Sequence, residues 1–402
     1  MAVIGVVCEY NPFHKGHAYH LQESRRLLGE ESTVVCVMSG DFVQRGEAAL
    51  YSKFARAEAA CRCGADLVVE LPLPWALSSA ERFAAGAVHL LGALGAEALS
   101  FGSECGDAAS LARLAESLRD PELYREIKQL LSEEAAASFA AARQRVLADR
   151  LGEEAALLGQ PNNILGVSYL KAIADQRLRM KPVTIARRGS GHDEPGEVLA
   201  FSSASRIRRL ILEGEDTDET MPEAAAQVFT RQRELGRQLN PAAMELAVLS
   251  RLRMFDMPYF EALPDASDGL GKRLYSAVQT ENSLKSVQAA AKTKRYAMAR
   301  IRRICMCACL GITAGMNEGL PPYARILAAN GRGQKHLAAL RAKTELPILI
   351  KHAAVHKLPS ASRGLFEQGA KAHDFYTLAY TASAERSGGE DWRKGPFLYE
   401  LK

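Results

Sequence analysis

The sequence predicts an α/β protein: a doubly wound parallel sheet followed by a helical C-terminal domain. Three observations predict it. Short apolar runs alternate with helical stretches through the first hundred residues. The runs are continuous Val, Ile and Leu rather than alternating, as in strands buried on both faces. Beyond about residue 222 the pattern turns to helix.

The elements follow in order. AVIGVVCEY is a strand and AYHLQESRRLLG a helix. TVVCVMSG is a second strand, and SKFARAEAACRCG a helix. ADLVVELP is a third strand, ERFAAGAVHLLGALG a helix and ALSFGSE a fourth strand. Helices between parallel strands imply right-handed βαβ crossovers. Residues 108–158 are rich in Ala, Glu, Leu and Arg and read as a helical insertion. PNNILGVSYLKAI is then a helix, MKPVTIARR a strand and SSASRIRRLILEG a helix. The polar stretch GEDTDETMPE marks a boundary, so the expected domains are 1–220 and 221–402. ETMPEAAAQVF and PAAMELAVLSRLRMF lead into one long helix near 284–311, and the tail after Ser387 is expected to be loosely ordered.

The 402 residues are 48% hydrophobic and 24% charged, ordinary values for a globular protein. The opening MAVIGVVC lacks a basic flank and ends at Glu9, so a buried first strand is expected rather than an export signal, and the cytoplasm is the expected location. No apolar run is long enough for a membrane span. The eight cysteines form no CxxC pair, and Cys305, Cys307 and Cys309 are expected as small buried side chains rather than metal ligands. No metal-binding residue is assigned.

The sharpest chemical signal is Tyr10-Asn11-Pro12-Phe13-His14-Lys15-Gly16-His17, between the first strand and the first helix. Doubly wound sheets bind ligands at the carboxyl ends of their strands. A helix N-terminus there offers backbone N–H groups and a positive dipole end to phosphate. His14 and His17 share a helical face, and Gly16 leaves room for a nucleotide against the backbone. Two imidazoles beside a triphosphate can donate hydrogen bonds to charge that builds during adenylyl transfer.

This segment resembles the HIGH-motif nucleotidyltransferases, whose pattern runs roughly G-x-F-N-P-x-H-x-G-H. Cys8 stands in the place of the first glycine, and Glu9-Tyr10 precede Asn11. The string EYNPFHxGH is more similar to the bacterial tRNA(Met) cytidine acetate ligase family. Met38-Ser39-Gly40-Asp41-Phe42-Val43-Gln44-Arg45-Gly46-Glu47, Asp66-Leu67-Val68-Val69-Glu70-Leu71-Pro72, Phe101-Gly102-Ser103-Glu104 and Pro161-Asn162-Asn163-Ile164-Leu165-Gly166 extend that likeness. So does Ser203-Ala204-Ser205-Arg206-Ile207-Arg208. The resemblance implies a HIGH-type nucleotidyltransferase-like sheet domain and a tRNA-binding helical half. It implies a ligase that makes acetyl-adenylate from ATP and acetate, then acetylates N4 of the wobble cytidine of elongator tRNA(Met). Mg²⁺ is expected to ride on the phosphates.

The resemblance places ATP along Val7-Cys8-Glu9-Tyr10-Asn11-Pro12-Phe13-His14-Lys15-Gly16-His17-Ala18-Tyr19-His20, with Gly102, Asn162 or Asn163, and Arg187 or its rival Arg188. Ser203 and Ser205 open a helix, where serine is first of all an N-cap; with Arg208 they are also expected on the β- and γ-phosphates. Arg206 and Arg209 are expected on its solvated face. His14, His17 and Lys53 are the expected catalytic residues, with Lys53, beside Arg45 and Arg56, neutralising the leaving pyrophosphate. The most basic run, Lys292 to Arg303, holds no acidic residue. Lys292, Lys294, Arg295, Arg300 and Arg303 are expected to track tRNA phosphates, with Arg332, Lys335 and Lys343 extending the patch. Two alternatives stay open: a coenzyme-forming nucleotidyltransferase, and a non-catalytic ATP- and tRNA-binding module.

Overall fold

A computed structural model describes residues 2–133, 139–186, 202–267, 269–340 and 343–400. Its core is one eight-stranded sheet. The strands are β1 (Val3–Cys8), β2 (Thr33–Ser39), β5 (Leu67–Leu71), β6 (Ala98–Ser103), β7 (Lys181–Ala186), β8 (Ala324–Asn330), β9 (Ile348–Leu349) and β10 (Phe397–Tyr399). The two short strands β3 (Phe42–Val43) and β4 (Glu47–Ala48) form a separate antiparallel hairpin. The order across the main sheet is β10-β8-β5-β2-β1-β6-β7, with β9 beside β8.

The central strands explain their own sequences. In β2, Val34, Cys36 and Met38 pack into one hydrophobic layer, while Val35 and Val37 pack into the other. Both faces are covered, so no polar alternation is needed. One layer holds the helices Lys15–Leu28 and Lys53–Arg62 and most of the second-half helices. The other holds Ala80–Ala93, Pro161–Asp175 and the helices between residues 108 and 151.

The chain moves from β1 to β2 and β5 on one side, then crosses to β6 and β7 on the other. The order therefore reverses between β1 and β6, where such sheets open a crevice.

Three features differ from the sequence reading. Strands β8, β9 and β10 come from the second half of the chain, and β8 joins β5 antiparallel, so the sheet is mixed rather than wholly parallel. The run Ala-Arg-Ile-Leu-Ala-Ala-Asn is weak strand sequence on its own; pairing with β5 and complete burial make it one. The tail is ordered by the same sheet: β10 pairs with β8, and Asp391 is fully buried. The helix expected near 284–311 is two, Leu284–Ala291 and Met298–Leu310, so the basic run is not one helical face.

Candidate active site

A cavity of about 720 Å³ opens at the carboxyl ends of β1 and β6. The chain enters it through Tyr10, whose φ of +48° lies in the left-handed region. That sharp turn redirects the backbone from strand to helix. Phe13 is buried and, with Tyr10 and His17, forms an aromatic floor with ring centroids 4.8 to 5.6 Å apart.

His14 caps the helix Lys15–Leu28. Its Nδ1 accepts from Gly16 N–H at 3.0 Å, and His17 Nδ1 accepts from His14 N–H at 3.3 Å. The two rings stack with centroids 3.7 Å apart. A neutral imidazole that accepts at Nδ1 carries its proton on Nε2. The local bonding thus sets both histidines as Nε2–H donors. Gly16 serves this arrangement directly: a Cβ there would lie 2.9 Å from His14 Cε1. His20 Nε2 meets Ser100 Oγ of β6 at 3.1 Å.

Around the histidines the cavity is lined by Val7, Cys8, Glu9, Tyr10, Asn11 and Tyr19, by Gly102 of β6, and by Asn162, Ser203, Ser205 and Arg208. Ser203 accepts from Arg206 N–H as the N-cap of Ala204–Glu213. Arg208 donates to Asn11 O at 2.8 Å and to Ser205 Oγ at 3.2 Å, which ties this helix to the HIGH segment. Burial lowers the pKa of this guanidinium, while Glu47 and Glu9 oppose the shift; Arg remains charged.

The paired asparagines separate. Asn162 lines the cavity, and its amide donates to Glu104 Oε1 at 2.6 Å. Asn163 is fully buried, and its Oδ1 accepts from the backbone of Glu104 and Cys105. Asn163 holds the β6 loop and does not face the cavity. Pro12, Phe13, Lys15 and Ala18 also lie outside its lining, as supports of the turn and helix. Arg187 and its rival Arg188 lie outside the described residues.

Lys53 is corrected. Its side chain is 1% exposed, and Nζ lies 2.7 Å from Asp391, 3.0 Å from Glu70 and 3.9 Å from Asp41. A buried cation held by three carboxylates, two of them buried, is not available to pyrophosphate. Arg325 and His373 complete this cluster, bonding Glu70, Asp391, Asp41 and Glu390. Arg56 is buried too: it donates to the carbonyls of Glu9 at 2.6 Å, Tyr51 at 2.9 Å and Ser39 at 3.2 Å, and to that of Gly40. It pins the backbone of the ligand edge.

Sequence reasoning passed over part of the wall. Gln44 and Glu47 of the β3–β4 hairpin line the cavity beside Arg45, which was expected near the pyrophosphate, and Arg206 reaches it instead of lying wholly on the solvated face. The signal for the hairpin was its place after the carboxyl end of β2.

The basic run divides. Lys292, Lys294 and Arg295 are exposed. Arg300 instead donates to Asp265 O at 2.9 and 2.6 Å and sits over the Tyr296 ring. Arg303 is largely buried, which lowers its pKa, with Asp265 opposing. Arg302 pairs with Glu47 at 2.8 Å. Carboxylates absent from the run in sequence are thus supplied by folding. Gly46 lies so close to Arg302 and Arg303 that a Cβ would sit 2.5 Å from their backbone. The basic run therefore abuts the hairpin wall of the cavity. Arg332 lies at the opposite end of the sheet, against Glu30 and Ser32, and does not extend this surface.

Cys305, Cys307 and Cys309 are buried, and burial pushes each thiol up to about 12. Among the described residues no group of three or more His, Cys, Asp or Glu is arranged to hold a metal ion, and no helix is long and apolar enough to cross a membrane.

This architecture has known relatives. A model of the family described as HIGH Nucleotidyl Transferase matches residues 1–391. The tRNA(Met) cytidine acetate ligase of Acetivibrio thermocellus is 35% identical over 415 residues, covering 98% of each chain. The enzyme of the same name from Syntrophotalea carbinolica is 38% identical over 376 residues, covering 89% of this chain and 86% of its own. The crystal structure of Thermotoga maritima TmcAL bound with alpha-thio ATP superposes with a TM-score of 0.93 at 32% identity, covering 100% of both chains. The HIGH segment at the β1–β6 crevice and this full-length likeness place the chain in the tRNA(Met) cytidine acetate ligase family of HIGH nucleotidyl transferases.

Proposed function

We propose that the chain activates acetate with ATP as acetyl-adenylate and transfers the acetyl group to N4 of the wobble cytidine of elongator tRNA(Met). The observation that carries this reading is the pair of stacked histidines with Nδ1 engaged, set at a helix N-terminus inside the β1–β6 cavity. The names of the relatives supply the acceptor, and the α-thio-ATP complex of the Thermotoga maritima protein supports ATP as the nucleotide.

The roles follow from placement. ATP lies along Val7 to His20 with its ribose and base toward Gly102 and Asn162. Arg208, Ser203 and Ser205 meet the β- and γ-phosphates. An acetate oxygen attacks the α-phosphorus, and the bond to pyrophosphate breaks. Nε2–H of His14 and His17 donates to the charge that builds on the phosphoryl oxygens; such donors act without reorganisation. Holding acetate and ATP in one cavity supplies proximity. Mg²⁺ is assigned to the phosphate oxygens, where it would neutralise charge, and no protein ligand is named. Lys292, Lys294 and Arg295 track the tRNA backbone beside the cavity. A tRNA substrate places the reaction in the cytoplasm.

The test is incubation with ATP, labelled acetate and bulk tRNA. Labelled N4-acetylcytidine with release of AMP is expected. AMP retained on a small-molecule product would make the chain a coenzyme-forming transferase, and ATP and tRNA binding without turnover would make it a binding module.

A further inference from the structure

Transfer to cytidine needs something the adenylation machinery does not provide. The exocyclic amine of cytosine is delocalised into its ring and must shed a proton as it attacks. A positioned base contributes about 10²–10⁴-fold to such a step. Neither histidine is suited: Nδ1 of each already accepts a backbone N–H, and Nε2 carries the donor proton.

Three carboxylates line the cavity, Glu9, Glu47 and Glu104. Glu104 is spent on structure, accepting from Asn162 N at 3.2 Å, Asn162 Nδ2 at 2.6 Å and Asn163 N at 2.8 Å. Glu47 lies between Arg302 at 2.8 Å and Arg208 at 3.9 Å. Glu9 differs. Its Oε1 accepts from Gln44 N–H at 2.8 Å, and its backbone carbonyl is clamped by Arg56. The carboxylate is thus held at one oxygen, on a backbone that Arg56 fixes. It bonds the hairpin whose Glu47 pairs with Arg302 of the basic run.

We propose that Glu9 is the general base for acetyl transfer. This rests on the tRNA-acetylating reading above. The cytidine N4 lone pair forms the C–N bond at the acetyl carbonyl, and the N4 proton passes to the Glu9 carboxylate. The carbonyl re-forms, and the C–O bond to AMP breaks with its electron pair on AMP. Glu9 then releases the proton to solvent.

The surroundings suit the role. Burial raises the Glu9 pKa from its ordinary value, and Arg45 on the hairpin, Arg56 on Lys53–Arg62 and Arg208 on Ala204–Glu213 hold the rise in check. Tyr169 of Pro161–Asp175 also faces it.

The experiment compares wild type with Glu9→Gln in two assays: acetate-dependent ATP–pyrophosphate exchange without tRNA, and acetyl transfer to tRNA(Met) in a single turnover. Transfer is expected to fall about a hundredfold or more, and by a clearly larger factor than exchange, which drops only by what Glu9 adds to the ATP segment. The wild-type transfer rate should climb with pH and level off once Glu9 is ionised; Glu9→Gln should lack that limb, and Glu9→Asp should keep it at a reduced rate. Equal loss in both assays makes Glu9 part of the ATP site and overturns the proposal. So does transfer at the wild-type rate. Wild-type protein that puts no label into RNA overturns the reaction itself.

Discussion

Lys53 and Arg208 both lie on helices opened by a capping serine, near the carboxyl edge of the sheet, and they meet opposite surroundings. At the β2–β5–β8 half of that edge, Lys53, Arg325 and His373 are sealed against Asp41, Glu70, Glu390 and Asp391. At the β1–β6 half, Arg208, His14 and His17 face an open cavity. His373, Glu390 and Asp391 come from the end of the chain. The second half of the protein thus fills one half of the ligand edge and leaves the other open. A cation beside a nucleotide site is a ligand contact only where no carboxylate has claimed it; a buried charge whose partner is removed is costly.

The sharpest way to break this contrast is to remove a cation from each side. Lys53→Ala leaves Asp391 and Glu70 underpaired and should cost about 3–5 kcal/mol of stability, read by denaturant or thermal unfolding. A folded variant of wild-type stability that had lost adenylation would return Lys53 to the catalytic site. On the open side, His17→Ala should reduce acetate-dependent pyrophosphate exchange by about a hundredfold or more while tRNA affinity stays near wild type. His14→Ala should do the same with a further cost of about 1 kcal/mol in stability, because His14 also caps its helix. Exchange within a few-fold of wild type in either variant would remove the histidines from the phosphoryl step.

A smaller effect reads the sealed side through pH. Burial alone would lower the His373 pKa, but Asp41 and Glu390 overcome it and raise the ring to about 9 from 6.5. A raised folded-state value means that the protonated ring stabilises. That contribution is complete below pH 6.5 and is lost as pH climbs toward 9, on the order of 1 kcal/mol per pH unit. Glu390, held at about 2 by His373 and Lys394 against its burial, adds the acid limb: its contribution is complete above 4.5 and lost as pH falls through 2. Melting temperature should therefore decline from pH 6.5 to 9 in wild type and more weakly in His373→Gln. Equal slopes would show that the ring is neutral in the fold.

The HIGH segment was legible because its chemistry is local. Strand, turn, His14, Gly16, His17 and helix are contiguous, and their geometry follows from one stretch of chain. The five parallel strands were legible through their apolar runs. Lys53 was misread because the fully buried carboxylate that closes around it, Asp391, is 338 residues along the chain. Strand β8 was missed for the same reason, since Ala-rich sequence becomes strand only against β5. Asn163 and Asn162 are neighbours with the same side chain, and only the position of Glu104 and the β6 loop sends one inward and the other to the cavity.

The basic run repeats the lesson at lower stakes, since its partition is between exposed and engaged charge on one surface. Lys292, Lys294 and Arg295 sit in the break between two helices and face solvent. Arg300 is held on Asp265 and Arg303 is half-buried. A phosphate contact shows itself by counterion release, so each one lost should lower the log–log salt slope of tRNA binding by a bit under one unit. Changing Lys292, Lys294 and Arg295 together to Ala should therefore flatten the slope by roughly two to three units and weaken binding at low salt. Arg300→Ala should move it less, because its guanidinium must first leave the Asp265 carbonyl. Pyrophosphate exchange without tRNA should persist in the triple variant, whose positions lie outside the cavity lining. An unchanged slope in the folded triple variant would make the exposed cations a solvated surface and move the tRNA path to the hairpin side, where Arg45 is exposed. A larger loss from Arg300→Ala than from the triple variant would show that the Asp265 contact opens when RNA binds.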